Sequence, residues 1–228
     1  YAIAPHLISP LPYDNRAAFT GISLLARTAQ SVCVHPSVPV TTIQEFLAYV
    51  RARPGEINFS SAGIGATSHL ATELLMSMAG IEMVHVPYRG GAPAAQALLS
   101  GEVKMCFIDA VTALPQRQAG LVKMLAVSTA ERTPLAPDVP TLQEAGVTGF
   151  ESSTDMALMA PAHLPEAIVA RLSEAVRGAV NDAAFRQQII GLGAVPVGGT
   201  PAEFATYWTA ESEKWGNLIR ARNIVRPT

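Results

Sequence analysis

Short apolar segments alternate with helical patterns between residues 31 and 128, and this alternation constrains the fold more than any other feature. Each apolar segment is four to six residues long and is bounded by Gly, Pro or a polar turn. Alternation at this spacing is typical of βαβ units, so we predict an α/β fold with a mostly parallel sheet. The predicted strands lie at 31–35, 57–60, 83–86, 103–108 and 123–128.

Two helix starts carry capping signatures. Thr41 and Gln44 have the spacing of a capping box, and an apolar stripe of helical period follows them. Thr200 and Glu203 enclose Pro201, which predicts a strong helix start near the C-terminus. After Gly149 the pattern changes to a strand at 156–160 and longer helices, one with Ile168, Leu172, Ala175, Val176 and Ala179 on a single face.

The segment from Phe59 to Leu70 reads as a strand that enters a glycine turn and then a helix. Gly63 and Gly65 allow the main chain to approach a ligand closely. Thr67 and Ser68 are natural N-cap residues for the helix that follows. A helix start presents unpaired N–H donors and favours an anion. The alternative, a turn that only caps its helix, stays open at this stage.

Composition excludes several classes of protein. Only 15% of the 228 residues are charged and 49% are hydrophobic, which indicates a well-buried globular chain. The net charge of −2 includes no basic cluster of the kind that binds nucleic acid or a membrane surface. The apolar runs are too short for a membrane-spanning helix. The chain opens at Tyr1, which leaves a mature, tagless or truncated product equally open.

Motifs of enzymes and metal sites are mostly absent from the sequence. It contains none of the Gly-rich, nucleophile-elbow or zinc-protease signatures, and its five histidines lack metal-ligand spacing. His69 falls in the first turn of its helix, where it either faces a cleft or packs in the core. Cys33 and Cys106 fit no zinc or redox motif. They read as buried thiols, with a disulfide as the alternative in an exported protein.

An ordered set of segments gives the chain a specific resemblance. It resembles the substrate-binding receptors of tripartite tricarboxylate transporters, the Bug family of bacterial periplasmic solute receptors. The resemblance covers nearly the whole chain, and no single motif is decisive. The segments that carry it are VHPSVP (34–39), PGEINF (54–59), SSAGIG (60–65), SHLA (68–71), HVPYRG (85–90), DVPT (138–141), EAG (144–146), GA (193–194) and PVGGTP (196–201).

The resemblance implies a type II periplasmic-binding-protein fold, in which two α/β lobes close on a ligand at their hinge. In this numbering the first lobe would comprise 1–35 and 153–228, and the second 36–152. The family's opening strand and its Pro-Gly-Gly carboxylate loop have no counterpart, so the N-terminal part of the first lobe is expected to be absent. The implied protein is a periplasmic monomer without cofactor or metal, not an enzyme, that delivers a small carboxylate to membrane transporter subunits.

The family holds a ligand carboxylate with main-chain N–H groups and hydroxyls. Carried over residue by residue, this implies a binding turn in which Ala66 replaces the usual serine. Asp109 and Asp155 are further departures, at strand ends expected to face the cleft. Two carboxylates beside an anion-binding turn suggest a ligand that also bears an amino or amide group. The implied ligand-binding residues are Ser61, Ala62, Gly63, Gly65, Ala66, Thr67, Ser68, Asp109 and Asp155.

Several alternatives remain open at this stage. Each acid could instead cap a helix or pair with Arg89 or Arg117, and Tyr88 could wall the cleft or pack under its loop. For Arg89 a structural role is favoured over a ligand contact. A second class of protein with the same fold is the effector domain of a LysR-type regulator. An enzyme would need an acid–base pair, for which Asp109, Asp155 and His69 are the candidates.

Overall fold

The computed structural model describes residues 1–8 and 10–225. The chain divides into two compact units, one formed by residues 1–28 with residues from 155 onward, the other by Ala29–Thr154. The lobe bounds expected from the sequence lie at 35/36 and 152/153, and that lobe assignment stays a prediction. In chain order the elements are α1 (Ala4–Leu7), β1 (Phe19–Val34), α2 (Ile43–Arg51), β2 (Asn58–Ser61), α3 (Thr67–Ala79), β3 (Val84–Pro87), α4 (Gly91–Leu99), β4 (Met105–Asp109), α5 (Ala110–Gln118), β5 (Lys123–Val127), β6 (Ser153–Pro161), α6 (Glu166–Asn181), α7 (Ala183–Gly191), β7 (Ala194–Pro196) and α8 (Pro201–Ala221).

The sheet of the Ala29–Thr154 unit has the strand order β3-β2-β4-β1-β5. β2 is parallel to both β3 and β4. β1 is antiparallel to its two neighbours, β4 and β5, so β2, β3, β4 and β5 all run in one direction and β1 alone of these five strands runs against them. The predicted mostly parallel sheet is therefore confirmed for these strand directions, with β1 as the exception. Because parallel strands end at the same edge of a sheet, the starts of α3, α4 and α5 follow from three adjacent strand ends.

Apolar periodicity explains how this unit packs. On α2 the predicted stripe of Ile43, Phe46, Leu47 and Val50 is buried, and this prediction is confirmed. The capping box lies one residue later than predicted, between Thr42 and Glu45, because Glu45 and not Gln44 has a carboxylate that reaches back to the Thr42 N–H. Helix α2 then packs its stripe into the same cluster as β2 and α3.

The other unit contains the first part of β1, which pairs with β6 and β7. Helix α8 begins with the predicted box of Thr200 and Glu203, which is confirmed. The apolar residues predicted to share one face of α6 do so without being buried: Ile168 is 47% exposed, and Leu172, Ala175, Val176 and Ala179 are half-buried or exposed. Only Ser173 and Val180 of that helix are buried.

Candidate functional site

A cavity of about 550 Å³ opens at the strand ends of the Ala29–Thr154 unit. Its wall combines the starts of helices α3, α4 and α5 with the ends of the strands that precede α3 and α5. In open α/β sheets ligands bind beyond the carboxyl ends of the strands, and this cavity has that location. The lining residues are Gln30, Ala62, Ala66, Thr67, Ser68, Gly91, Ala92, Ala94, Ala95, Cys106, Phe107, Ile108, Asp109, Thr112 and Thr154.

Helix α3 starts without a side-chain cap. Its N-cap is Ala66, which makes no capping hydrogen bond, so the prediction of Thr67 or Ser68 as the cap is wrong. The chain enters the helix one residue earlier, and Thr67 and Ser68 occupy the first two helical positions. Their N–H groups have no acceptor four residues back within the helix. Since both residues line the cavity, these are the donors that α3 contributes to it.

Most main-chain N–H groups of the turn before α3 donate hydrogen bonds to side chains of the turn or of the first turn of α3. The Ala62 N–H donates to Ser68 Oγ at 3.1 Å, and the Gly63 N–H donates to Ser61 Oγ at 3.1 Å. The Gly65 N–H donates to His69 Nδ1 at 3.2 Å. These internal bonds hold the turn in one shape. Because the N–H groups of Ala62, Gly63 and Gly65 already donate within the turn, the expected anion contact is assigned to the start of α3 instead.

Helices α4 and α5 start in the same way. Their N-caps, Gly90 and Asp109, make no side-chain capping bond. Gly91 and Ala92 line the cavity from the first turn of α4, and Thr112 lines it from α5. Each helix start carries a partial positive charge, and three of them at one cavity favour a bound anion. From the sequence, only the start of α3 was predicted as an anion-binding site. The Gly90-Gly91 pair that follows a strand was an available signal for the start of α4.

Asp109 is the acidic group of this cavity. Its Oδ1 accepts a hydrogen bond from Thr154 Oγ1 at 3.3 Å, and the Gln30 side chain also donates to the carboxylate. Burial raises the pKa of Asp109 above its usual range, against the opposing effect of those two donors. The prediction that this strand end holds a cavity-lining acid agrees with this position, and its contact with a ligand stays a prediction.

Asp155 lies in the other unit and does not line this cavity. It accepts hydrogen bonds from Tyr207 Oη at 2.6 Å and from Arg27 Nε at 3.4 Å. Burial and the neighbouring carboxylate raise the pKa of Tyr207. The partners of Asp155 are therefore Arg27 and Tyr207 rather than the Arg89 or Arg117 considered from the sequence, and its ligand role stays a prediction.

Two stacked histidines, His69 and His85, are hydrogen-bonded to the glycine turn and hold its shape. The rings of His69 and His85 lie 3.9 Å apart, and Phe59 stacks on His85 at 4.8 Å. His85 Nε2 lies 2.6 Å from Ser61 Oγ, and His69 Nε2 lies 3.5 Å from Glu73 Oε1. His69 is 4% exposed, so it packs rather than faces the cavity. The histidine pair is a structural support of the turn that sequence reasoning did not foresee.

Tyr88, Arg117 and Arg89, which the sequence offered as residues of the cleft or as partners of its acids, do not line this cavity. The Tyr88 hydroxyl donates to Glu102 Oε1 at 2.7 Å, and its ring packs against the apolar cluster under α4. Arg117 pairs with Asp138, not with either candidate acid. Arg89 is exposed.

The two cysteines are free and buried, and they face each other across the β1–β4 pair. Among the described residues no group of three His, Cys, Asp or Glu side chains is placed to hold a metal ion. Nor does any described helix combine the length and the apolar character that crossing a bilayer requires.

The fold and cavity define a class, the α/β solute-binding proteins, and comparison with known proteins gives the family. The model of the tripartite tricarboxylate transporter family receptor matches residues 1–224. The chain belongs to this family. A relative from Pseudomonas sp. strain P51, the "UPF0065 protein in tcbD-tcbE intergenic region", is 38% identical over 92% of this chain. The chain spans 62% of the length of that relative.

Solved structures of similar proteins confirm the predicted α/β fold of a periplasmic binding protein. Rpa4515 of R. palustris, solved with adipate, has a TM-score of 0.86 and 31% identity, and the match covers 97% of this chain and 76% of that one. MatC (Rpa3494) from Rhodopseudomonas palustris, solved with bound malate, has a TM-score of 0.80 and 32% identity over 95% of this chain and 75% of that one.

Proposed function

We propose that this protein is a periplasmic receptor that captures a small carboxylated solute and delivers it to a tripartite tricarboxylate-type membrane transporter. The observation that carries the proposal is the meeting of three uncapped helix starts at one cavity. A carboxylate at the starts of α3 and α4 accepts N–H hydrogen bonds and is stabilised by the dipoles of these two helices, whereas the start of α5 carries the Asp109 carboxylate. Family membership and neighbours solved with adipate and malate support the same class of ligand.

The ligand carboxylate is proposed to lie against Thr67, Ser68 and Gly91. The sequence-based set of Ser61, Gly63 and Gly65 supports this contact indirectly, because their hydrogen bonds fix the turn that precedes α3. Binding is proposed to stabilise a closed arrangement by hinge motion, without chemical conversion of the solute. Asp109 extends the ligand class to acids that also carry an amino or amide group.

Two other classes of function are less well supported. The receptor family model runs along residues 1–224, which favours a receptor over a LysR-type effector domain. An acid–base pair for catalysis is not formed by His69, which is buried and bonded to the turn. We propose that no reaction is catalysed.

Native mass spectrometry of the purified protein tests the proposal. The protein is measured intact, then denatured, and released small molecules are identified by their mass and fragmentation. We expect a small carboxylic acid in stoichiometric amount, or uptake of added adipate or malate by ligand-free protein. A protein that carries and takes up only neutral or cationic solutes would contradict the proposed function.

A further inference from the structure

Gln30 is a buried amide at the wall of the same cavity. It lies on β1, is 5% exposed, and lines the cavity beside Asp109. Its main chain is fixed on both sides by Ser128, whose Oγ accepts the Gln30 N–H at 3.0 Å and whose N–H donates to the Gln30 carbonyl at 2.8 Å. The position of this side chain is thus set by the sheet.

The neighbouring carboxylate decides how the Gln30 amide is oriented. An ionised carboxylate only accepts hydrogen bonds, so the NH₂ group of Gln30 must face Asp109. The amide oxygen then points elsewhere, and within the described residues Gln30 Oε1 is buried without a hydrogen-bond partner. A buried oxygen without a donor destabilises the ligand-free state, and a donor from a bound molecule would remove that cost.

The cavity therefore has two chemically opposite walls. The starts of α3 and α4 present N–H donors, while Asp109 supplies a carboxylate acceptor on the β4 side and Gln30 lines the adjoining β1 side. A simple dicarboxylate satisfies the first wall and is repelled by Asp109. A molecule with a carboxylate at one end and an ammonium or amide N–H₂ group near it satisfies both.

We infer that Gln30 and Asp109 form a subsite for an N–H-bearing group of the solute, so that this receptor prefers amino or amide acids to plain carboxylic acids. The inference rests on the proposed function, since the carboxylate must still bind at the helix starts. Gln30 lies directly opposite Asp109 in the β1–β4 register and acts as a positioning residue for its carboxylate. Its Oε1, unpartnered among the described residues, is buried, so it meets the N–H group of the solute only when the amide shifts toward the cavity. Thr154 Oγ1 holds the same carboxylate from its other side.

Calorimetric titration with matched acids tests this inference. The pairs are adipate with 2-aminoadipate, and malate with aspartate, which differ at one carbon in the presence or identity of a donor group. We expect the wild-type protein to bind at least one amino acid about tenfold or more tightly than its partner, the size of one charge-assisted hydrogen bond. Asp109→Asn and Gln30→Met should remove that preference while retaining binding of the plain acid.

Two control variants separate this role from general effects. Asp138→Asn removes a carboxylate that pairs with Arg117 outside the cavity, and Gln96→Met changes an exposed glutamine on α4. Neither should alter the preference. Binding of the plain acid by Gln30→Met shows that the variant is folded, and thermal unfolding gives a second check.

The outcomes distinguish the inference from the proposed function. If neither member of either pair binds and native mass spectrometry finds no carboxylate, the proposed function fails. If the plain acids bind as tightly as the amino acids, or if both variants weaken the two members of a pair equally, the inference is wrong and the proposed function stands.

Discussion

The Ser68 hydroxyl accepts the Ala62 N–H at 3.1 Å, and this bond closes the glycine turn instead of capping helix α3. Ser68 sits inside the first turn of the helix, and Ala66 at the N-cap offers no side-chain oxygen. The strand end is therefore tied to the helix while the helix start stays open to the cavity. An arrangement of this kind lets a ligand anion act as the cap that the sequence omits.

A capping residue at position 66 should compete with the ligand. Ala66 has extended backbone angles suitable for an N-cap, so Ala66→Asp is expected to cap α3 and to raise the free energy of unfolding by about 1 kcal/mol. Its negative charge should also weaken carboxylate binding by about tenfold or more, since both anions need the same donors. Denaturant unfolding and calorimetry measure the two effects.

Ala66→Ser is the matched variant, because it adds a hydroxyl without a charge. It should increase stability by a similar amount and weaken binding much less than Ala66→Asp. Equal carboxylate affinity in Ala66→Asp and the wild-type protein would show that the anion does not bind at the start of α3.

The glycine turn should tolerate no side chain at position 63. Gly63 has φ +122°, and an added Cβ would lie 3.3 Å from the Tyr88 carbonyl oxygen. Gly63→Ala is expected to destabilise the protein by about 1–3 kcal/mol and to impair binding, because the turn must change shape. Gly91→Ala is the control for stability, since a methyl group added there would have nothing within 4 Å and the φ of Gly91 is not in the left-handed region. Equal stability of the two variants would contradict the turn geometry.

The stacked histidines should make stability depend on pH. Burial and the nearby His69, against the opposing effect of Glu73, lower the pKa of His85 to about 4. The unfolded chain, with a histidine pKa near 6.5, binds more protons than the folded chain between those values. The free energy of unfolding should therefore fall as the pH drops from about 6.5 to about 4, on the order of 1 kcal/mol because solvent reaches part of the ring.

His85→Gln keeps a hydrogen-bonding side chain beside Ser61 and removes the titrating group. Urea unfolding at closely spaced pH values should give a flatter profile for this variant across the same pH range. An identical slope in both proteins would place the pH dependence on other groups.

The cysteines should be unreactive in the folded protein. Burial raises the pKa of both thiols, that of Cys106 to about 11, so little thiolate is present at neutral pH. A chromogenic disulfide reagent is expected to modify neither Cys33 nor Cys106 natively and both after denaturation. Rapid native reaction of either thiol, or no reaction after denaturation without reductant, would contradict their description as buried free thiols.

Local periodicity made the fold easier to predict than the site. The α2 stripe and the α8 capping box depend on residues close in sequence, and they appear where they were predicted. The first strand was predicted at 31–35, whereas β1 already begins at Phe19. The antiparallel pairing of β1 depends on long-range topology, which local patterns do not encode. Helix α6 shows the same dependence on long-range packing. Its apolar residues recur with a helical period, but the period does not say what covers them, and Ile168 is 47% exposed.

The candidate site shows the same division. The α3 start was predicted from glycines and hydroxyls, but the internal bonds of Ala62, Gly63 and Gly65 were not, because they depend on the fold of the turn. Gln30 was missed entirely. A lone glutamine in a strand has no sequence signal, and only the β1–β4 register brings it opposite Asp109.

Amide NMR spectra of the protein titrated with adipate test most directly whether the helix starts bind the carboxylate. We predict that the largest shifts fall on the N–H groups of Thr67, Ser68, Gly91 and Ala92, which line the cavity at the starts of α3 and α4. A neutral diamide of the same length should leave them unchanged. Saturable binding of adipate with those four amides unshifted would contradict the assignment of the carboxylate to the helix starts.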